Sequence, residues 1–324
     1  MESGGRASRI FLRSAIATRR WRAGETLLPS RVTASPTTSS QIPLPSGVVL
    51  AVEEYGVAGG QPVLFFHGWP SGASQGALLH AAAVELGIRI IAPSRPGVGR
   101  SPRQPGRRLL DWPRVVGELA DALALDRVRV LGVSGGGPYA LAAAWALPER
   151  VVAAAVVCGA PPLGESAQGF NFAYRTLLQI YRRHRGLARG FFRLIAPFGR
   201  SNPPEFLMRM LRGALVAPDR ATLADPAISR MCSDGFREAW IGGGDGVFED
   251  AEIYAQPWGF ALEEIRVPVR VWHGSEDSNF AHTLSSYAER IPGAKIRVIE
   301  GEGHYSLPIL RAREILADLL GAGG

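Results

Sequence analysis

Short, nearly unbroken apolar runs recur along this chain with about one helix's worth of sequence between them. Pro62-Val63-Leu64-Phe65-Phe66, Ile88 to Ala92, Val128 to Val133 and Val151 to Cys158 are the clearest. A strand with one wet face alternates apolar and polar residues, whereas a run that is apolar almost throughout is covered on both faces. Helical stretches fill the gaps: Ala73 to Leu86, Trp112 to Leu125 and Gly135 to Leu147. Strands joined through helices in this way imply an α/β fold, a mostly parallel central sheet flanked by helices. The alternating segment Val48 to Tyr55 adds a strand ahead of them.

The rhythm stops at Pro161-Pro162. From Leu163 to about Leu262 the sequence offers helical stretches such as Phe170 to His184 and Pro204 to Leu215, with no convincing buried strand. Alternation resumes at Val267 to Trp272 and continues through Ser285 to Arg290, Ile296 to Ile299 and Leu307 to Leu320. The expected organisation is a core in two pieces, residues 42–161 and 263–321, interrupted by a helical insert at 162–262. Residues 1–41 are read as a disordered basic extension outside the fold. They are rich in Arg, Ser and Thr, and Arg13 interrupts the apolar stretch that a secretory signal requires. An organellar presequence is a lesser alternative.

Composition removes several function classes. Two cysteines, Cys158 and Cys232, make at most one bridge, and no Cys/His spacing suggests zinc. The net charge of +7 is concentrated: residues 1–40 hold seven Arg against Glu2 and Glu25, or +5, which leaves +2 for the other 284 residues. Nucleic acid is therefore not an expected partner of the body. The most apolar run falls far short of the roughly 20 residues that span a bilayer, so a transmembrane segment is not expected and a cytoplasmic location is. Oligomeric state is left open.

The chemistry is carried by four segments. Gly132-Val133-Ser134-Gly135-Gly136 places a G-x-S-x-G pattern between an apolar strand and a helix, where a sharp turn presents a serine hydroxyl above the sheet. Such a serine needs a base, and the base needs an orienting acid. In folds with this turn the chain order is Ser, acid, His. His304, in Glu300-Gly301-Glu302-Gly303-His304 after a predicted strand, is the preferred base, with His282 as rival. Asp277, at the end of Val271 to Asp277, is preferred as the acid over Glu276. His67-Gly68-Trp69-Pro70 follows another strand, and the backbone N–H groups of Trp69 and Gly135 are expected to form an oxyanion hole. His67 itself is read as structural. Gly242-Gly243-Gly244-Asp245-Gly246 has neither the preceding strand nor the following Lys-Ser/Thr of a phosphate cradle, and is read as a hinge of the insert.

From His67-Gly68-Trp69-Pro70 through Ser134-Gly135-Gly136-Gly137-Pro138-Tyr139-Ala140 to Asp277 and His304, the chain resembles the α/β-hydrolase family over about residues 45 to 320. The resemblance implies that residues 162–262 cap the active site. Pro93-Ser94-Arg95-Pro96-Gly97-Val98-Gly99-Arg100-Ser101 is similar to a family loop that carries Asp where Ser94 stands, a departure expected to alter loop hydrogen bonding and not the chemistry. The segment 163–262 holds 14 of the chain's 27 aromatic residues, including Phe170, Phe172, Tyr174, Trp240, Trp258 and Phe260, which makes an apolar pocket plausible. The expected protein is a serine hydrolase needing no cofactor or metal. Its substrate is a small carboxylic ester or thioester with an apolar acyl part, cleaved through an acyl-enzyme on Ser134. C–C bond hydrolases, haloperoxidase-like members and a slow or non-catalytic receptor on the same fold are the alternatives.

Overall fold

The computed structural model describes residues 35–162, 172–201, 215–280 and 283–322. Expectations for the chain before residue 35, for Phe170, for a helix over 204–214 and for His282 concern residues outside that description.

Eight strands run in chain order: β1 (Thr38–Pro43), β2 (Val49–Gly56), β3 (Gln61–Phe66), β4 (Ile88–Pro93), β5 (Val128–Val133), β6 (Val151–Val157), β7 (Val269–Gly274) and β8 (Lys295–Ile299). They form one sheet in the order β1-β2-β4-β3-β5-β6-β7-β8. β2 is antiparallel to both neighbours, and every pairing from β4 to β8 is parallel. Side chains leave a strand on alternate faces, so the apolar run of β3 supplies both layers of the core. Leu64 and Phe66 pack with Val130, Trp112 and Tyr139, while Val63 and Phe65 pack with Leu131, Ala83 and Leu316.

Among the helices that cover the sheet are α1 (His80–Leu86), α2 (Trp112–Ala122) and α3 (Gly137–Ala146). Pro113 and Pro138 sit in the first turns of α2 and α3, where a missing N–H costs nothing. The stretch expected to be one helix from Ala73 begins as a 3-10 helix, Ala73–Leu79, before α1.

Between β6 and β7 lie α4 (Phe172–Arg183), α5 (Arg185–Ser201), α6 (Ala217–Thr222), α7 (Pro226–Ala239) and α8 (Gly244–Tyr254), and no strand is present there among the described residues. Asp225 caps α7, its carboxylate accepting from the N–H groups of Ala227 and Ile228. Phe192 and Ala196 of α5 pack on Trp240, Val247 and Phe248. The insert and the sheet belong to one compact unit. After β7 come α9 (Leu284–Tyr287), α10 (Ser306–Leu310) and α11 (Ala312–Leu320), so the expected final helix is broken at Arg311.

Two expectations are corrected. The extension assigned to residues 1–41 ends earlier, because Thr38 to Pro43 pairs with β2 as an edge strand. Its side chains are mostly exposed and polar, so it shows the composition of a linker while its backbone joins the sheet. The glycines at 242–246 are also no simple hinge. A Cβ on Gly246 would fall 1.9 Å from the Gly97 carbonyl oxygen, and one on Gly244 2.1 Å from that of Phe192. Glycine is required there so that the start of α8 can lie against the 95–99 loop and α5.

Candidate active site

The segments singled out in the sequence meet at one edge of the sheet because each follows the carboxyl end of a parallel strand: 67–69 after β3, 134 after β5, 277 after β7 and 304 after β8. At the end of β5 the backbone turns abruptly. Val133 is extended, Ser134 has φ +53°, and a 3-10 turn, Ser134–Gly136, leads into α3. Left-handed backbone at a residue other than glycine costs on the order of 1–3 kcal/mol and must be held by its surroundings. A Cβ at Gly132 would lie 2.2 Å from the Gly136 oxygen, and one at Gly136 1.9 Å from the Phe66 oxygen, so the motif's glycines are set by contact.

Ser134 Oγ lies 2.9 Å from His304 Nε2, and His304 Nδ1 lies 2.9 Å from Asp277 Oδ2. With Nδ1–H donating to the carboxylate, Nε2 is the acceptor for the serine hydroxyl. All three residues are buried. The second carboxylate oxygen, Asp277 Oδ1, accepts from the N–H groups of Asn279 and Phe280. Burial works against the charge of Asp277, but the adjacent imidazole and these donors prevail and hold its pKa down at about 2. Burial likewise opposes an imidazolium at 304, and the Asp277 carboxylate, with Asp219 behind it, outweighs that and raises its pKa above the usual value. Glu276, the rival acid, is exposed.

The 67–69 segment lies against the serine turn. A Cβ on Gly135 would be 2.9 Å from Trp69 Cβ, and one on Gly68 3.5 Å from Ser134 Cβ. His67 is fully buried, its Nδ1 2.9 Å from the Gly68 oxygen and its Nε2 accepting the Arg95 N–H at 3.3 Å. Burial first, then the Arg95 guanidinium, push its pKa well down, so it is a neutral structural ring. Arg95 donates to the carbonyls of His67 and Gly68 at 2.6 and 2.9 Å, and its Nε donates to Asp250 of α8. Asp250 also pairs with Arg107 and accepts from Tyr139. Burial opposes its ionisation, yet the two guanidinium groups hold its pKa far below the usual range.

Arg95, Asp250, Glu238 and Asp219 were not found from the sequence. Glu238, on α7, accepts from the N–H groups of Ala73 and Ser74 and from the hydroxyls of Ser74 and Ser94. Its signal was the serine at 94: the loop lacks its own carboxylate, and the insert delivers one. Asp219, on α6, accepts the N–H groups of His304, Tyr305 and Ser306. Among the described residues, Cys158, His273 and Asp277 bring potential metal-ligand atoms within 4.8 Å of one another. Burial, and then Asp277, push the Cys158 thiol well up, and a thiol kept neutral is a poor ligand.

Two cavities meet at Ser134. One, of about 60 Å³, is lined by Trp69, Gly135, Tyr181, Phe192, Phe248 and Tyr254 with other apolar groups. The other, of about 250 Å³, is lined by His304, Gln75, Asn279 and Tyr305 together with Leu78 and Ile309. Four aromatic rings of the insert thus face the narrow cavity. Trp258 and Phe260 instead stack on each other, and Phe260 stacks on Trp145 of the core.

A profile of the alpha/beta hydrolase family matches residues 63–319. The chain belongs to that family. A solved structure of an alpha/beta hydrolase fold protein from Nakamurella multipartita is similar with a TM-score of 0.66 and 26% identity, over 89% of this chain and 100% of that one. A bifunctional esterase/perhydrolase from Acinetobacter calcoaceticus is 23% identical over 281 residues, 85% of this chain and 95% of that protein. An uncharacterised hydrolase of Bacillus subtilis is 39% identical over 99 residues, and that match spans 30% of this chain and 34% of the relative. The protein is a hydrolase of this family, and among its described residues no helix is long and apolar enough to cross a membrane.

Proposed function

We propose that the protein cleaves a carboxylic ester with a short, apolar acyl part through an acyl-enzyme on Ser134. The observation that carries this reading is the unbroken contact chain Ser134–His304–Asp277, with both links at 2.9 Å. His304 Nε2 takes the hydroxyl proton as Oγ attacks the carbonyl, and Asp277 holds the ring in the tautomer that leaves Nε2 able to accept. The N–H groups of Trp69 and Gly135 stabilise the oxyanion. His304 then returns its proton to the leaving alkoxide, and water, deprotonated by the same imidazole, releases the acid.

Proton return orients the substrate. The leaving oxygen has to face His304, which lines the wider cavity, so the acyl chain occupies the narrow one on the Gly135 side. The cavity of about 60 Å³ is the narrower of the two, against about 250 Å³, and its apolar lining suits a short acyl chain better than a long one. Rates on 4-nitrophenyl esters test this. The expected result is a maximum between acetate and butyrate and a steep fall by octanoate. A maximum at octanoate or beyond would overturn the orientation. A perhydrolase activity has the support of the Acinetobacter relative's name. In that reaction hydrogen peroxide replaces water as the acceptor of the acyl group, so peracid should form from the same acyl-enzyme when peroxide is added.

A further inference from the structure

We propose that Asp219, carried by the inserted helices, is a positioning residue for the catalytic histidine. This rests on the reading of His304 as the base, and it adds a group that touches neither substrate nor the reacting atoms.

Asp219 lies on α6, 85 residues before His304, and is 2% exposed. Its Oδ2 accepts the His304 N–H at 3.0 Å, and its Oδ1 accepts the N–H groups of Tyr305 and Ser306 at 2.9 and 2.8 Å. Three successive main-chain donors therefore converge on one carboxylate at the start of α10. Gly303 makes room for it, since a Cβ there would fall 2.4 Å from Asp219 Oδ1. Gly303 N–H in turn donates to Ser306 Oγ at 2.7 Å, which closes the turn on itself.

The chemistry demands an acid in particular. Both oxygens accept from N–H groups, and an asparagine has one acceptor oxygen and an NH₂ that would be set against a main-chain donor. Among the described residues no cation is ion-paired with Asp219, so its charge is directed at the backbone dipoles of the turn and at the imidazole beyond. The charged or titratable groups around His304 are Asp277, Asp219 and His273, with the rings of Phe280 and Tyr305 in T-shaped contact with it. Two carboxylates therefore favour the imidazolium that forms when Ser134 attacks, one through the ring and one through the peptide. A displacement of the base by about 1 Å can cost on the order of 100-fold in rate.

The test compares Asp219→Asn with Asp225→Ala, which removes a helix cap in the same insert. For Asp219→Asn the expected result is a fall in kcat of about 10- to 100-fold, KM nearly unchanged, and an acid limb of kcat/KM moved to lower pH. Asp225→Ala should lower the melting temperature and leave the acid limb in place. An Asp219→Asn protein with wild-type kcat and acid limb overturns the proposal. So does an equal shift in both variants. Amide hydrogen exchange on the wild-type protein needs no variant to fold: the N–H groups of His304, Tyr305 and Ser306 should exchange slowly, and rapid exchange at all three contradicts the clamp. Loss of activity in Ser134→Ala separates the two readings. If that variant stays active, the serine mechanism falls; if it is dead while Asp219→Asn is normal, the positioning role alone falls.

Discussion

At the serine turn, position is held by main-chain geometry. Ser134 takes a left-handed φ, and Gly132 and Gly136 admit carbonyl oxygens where a Cβ would collide. The inserted helices hold the neighbouring segments by a different means. Asp250 pairs with both Arg95 and Arg107 beside the 67–69 segment, Glu238 binds the start of the Ala73–Leu79 turn, and Asp219 binds the His304 turn. The sheet edge thus carries the proposed reacting groups on strained or glycine-rich backbone, and the insert fixes three neighbouring segments with carboxylates. In this molecule the insert is a brace.

Substitutions on the two sides separate these roles. The largest stability effect is expected from Asp250→Ala, which leaves two buried guanidinium groups without their shared counter-charge. Urea denaturation should show a loss of about 3–5 kcal/mol, and a loss below about 1 kcal/mol would mean that the insert does not brace the core. Gly246→Ala should cost about 1–3 kcal/mol through its collision with Gly97. A true hinge glycine would tolerate alanine with almost no change in stability. Glu238→Gln, half-buried, keeps part of its hydrogen bonding and should cost about 1 kcal/mol.

The pH profile sharpens the same contrast. The proposed mechanism needs the neutral imidazole, and Asp277 and Asp219 raise the pKa of His304 above the ordinary 6.5. The acid limb of kcat/KM should therefore lie above that value and move down in Asp277→Asn. For stability the sign is opposite: the favourable pairing of a protonated His304 is fully present below its unfolded pKa and is lost as pH rises through the folded one. A wild-type acid limb below 6.5 would count against the two-carboxylate environment.

What could be read from the sequence follows the same division. Apolar runs disclosed β3 to β7, and the glycine spacing around Ser134 disclosed the turn, because buried strands and close backbone contacts restrict residue type at each position. β1 was missed, since an edge strand of Thr, Ser and Gln satisfies only its backbone. Ser134, Asp277 and His304 were legible because each follows closely on the end of a strand. Asp219, Glu238 and Asp250 were not, because an acid on a helix reads the same whether it faces water or a distant N–H, and their partners lie between 85 and 165 residues away. The aromatic richness of the insert pointed to a pocket without saying which rings line it.

The most direct measurement is peptide mapping by mass spectrometry after treatment with a fluorophosphonate, alongside ester turnover. The wild-type protein should gain one phosphonyl group on Ser134, while Ser134→Ala should gain none and lose at least about 10⁴-fold in turnover with its melting temperature preserved. An adduct on another side chain, or ester hydrolysis by Ser134→Ala at the wild-type rate, would contradict the account.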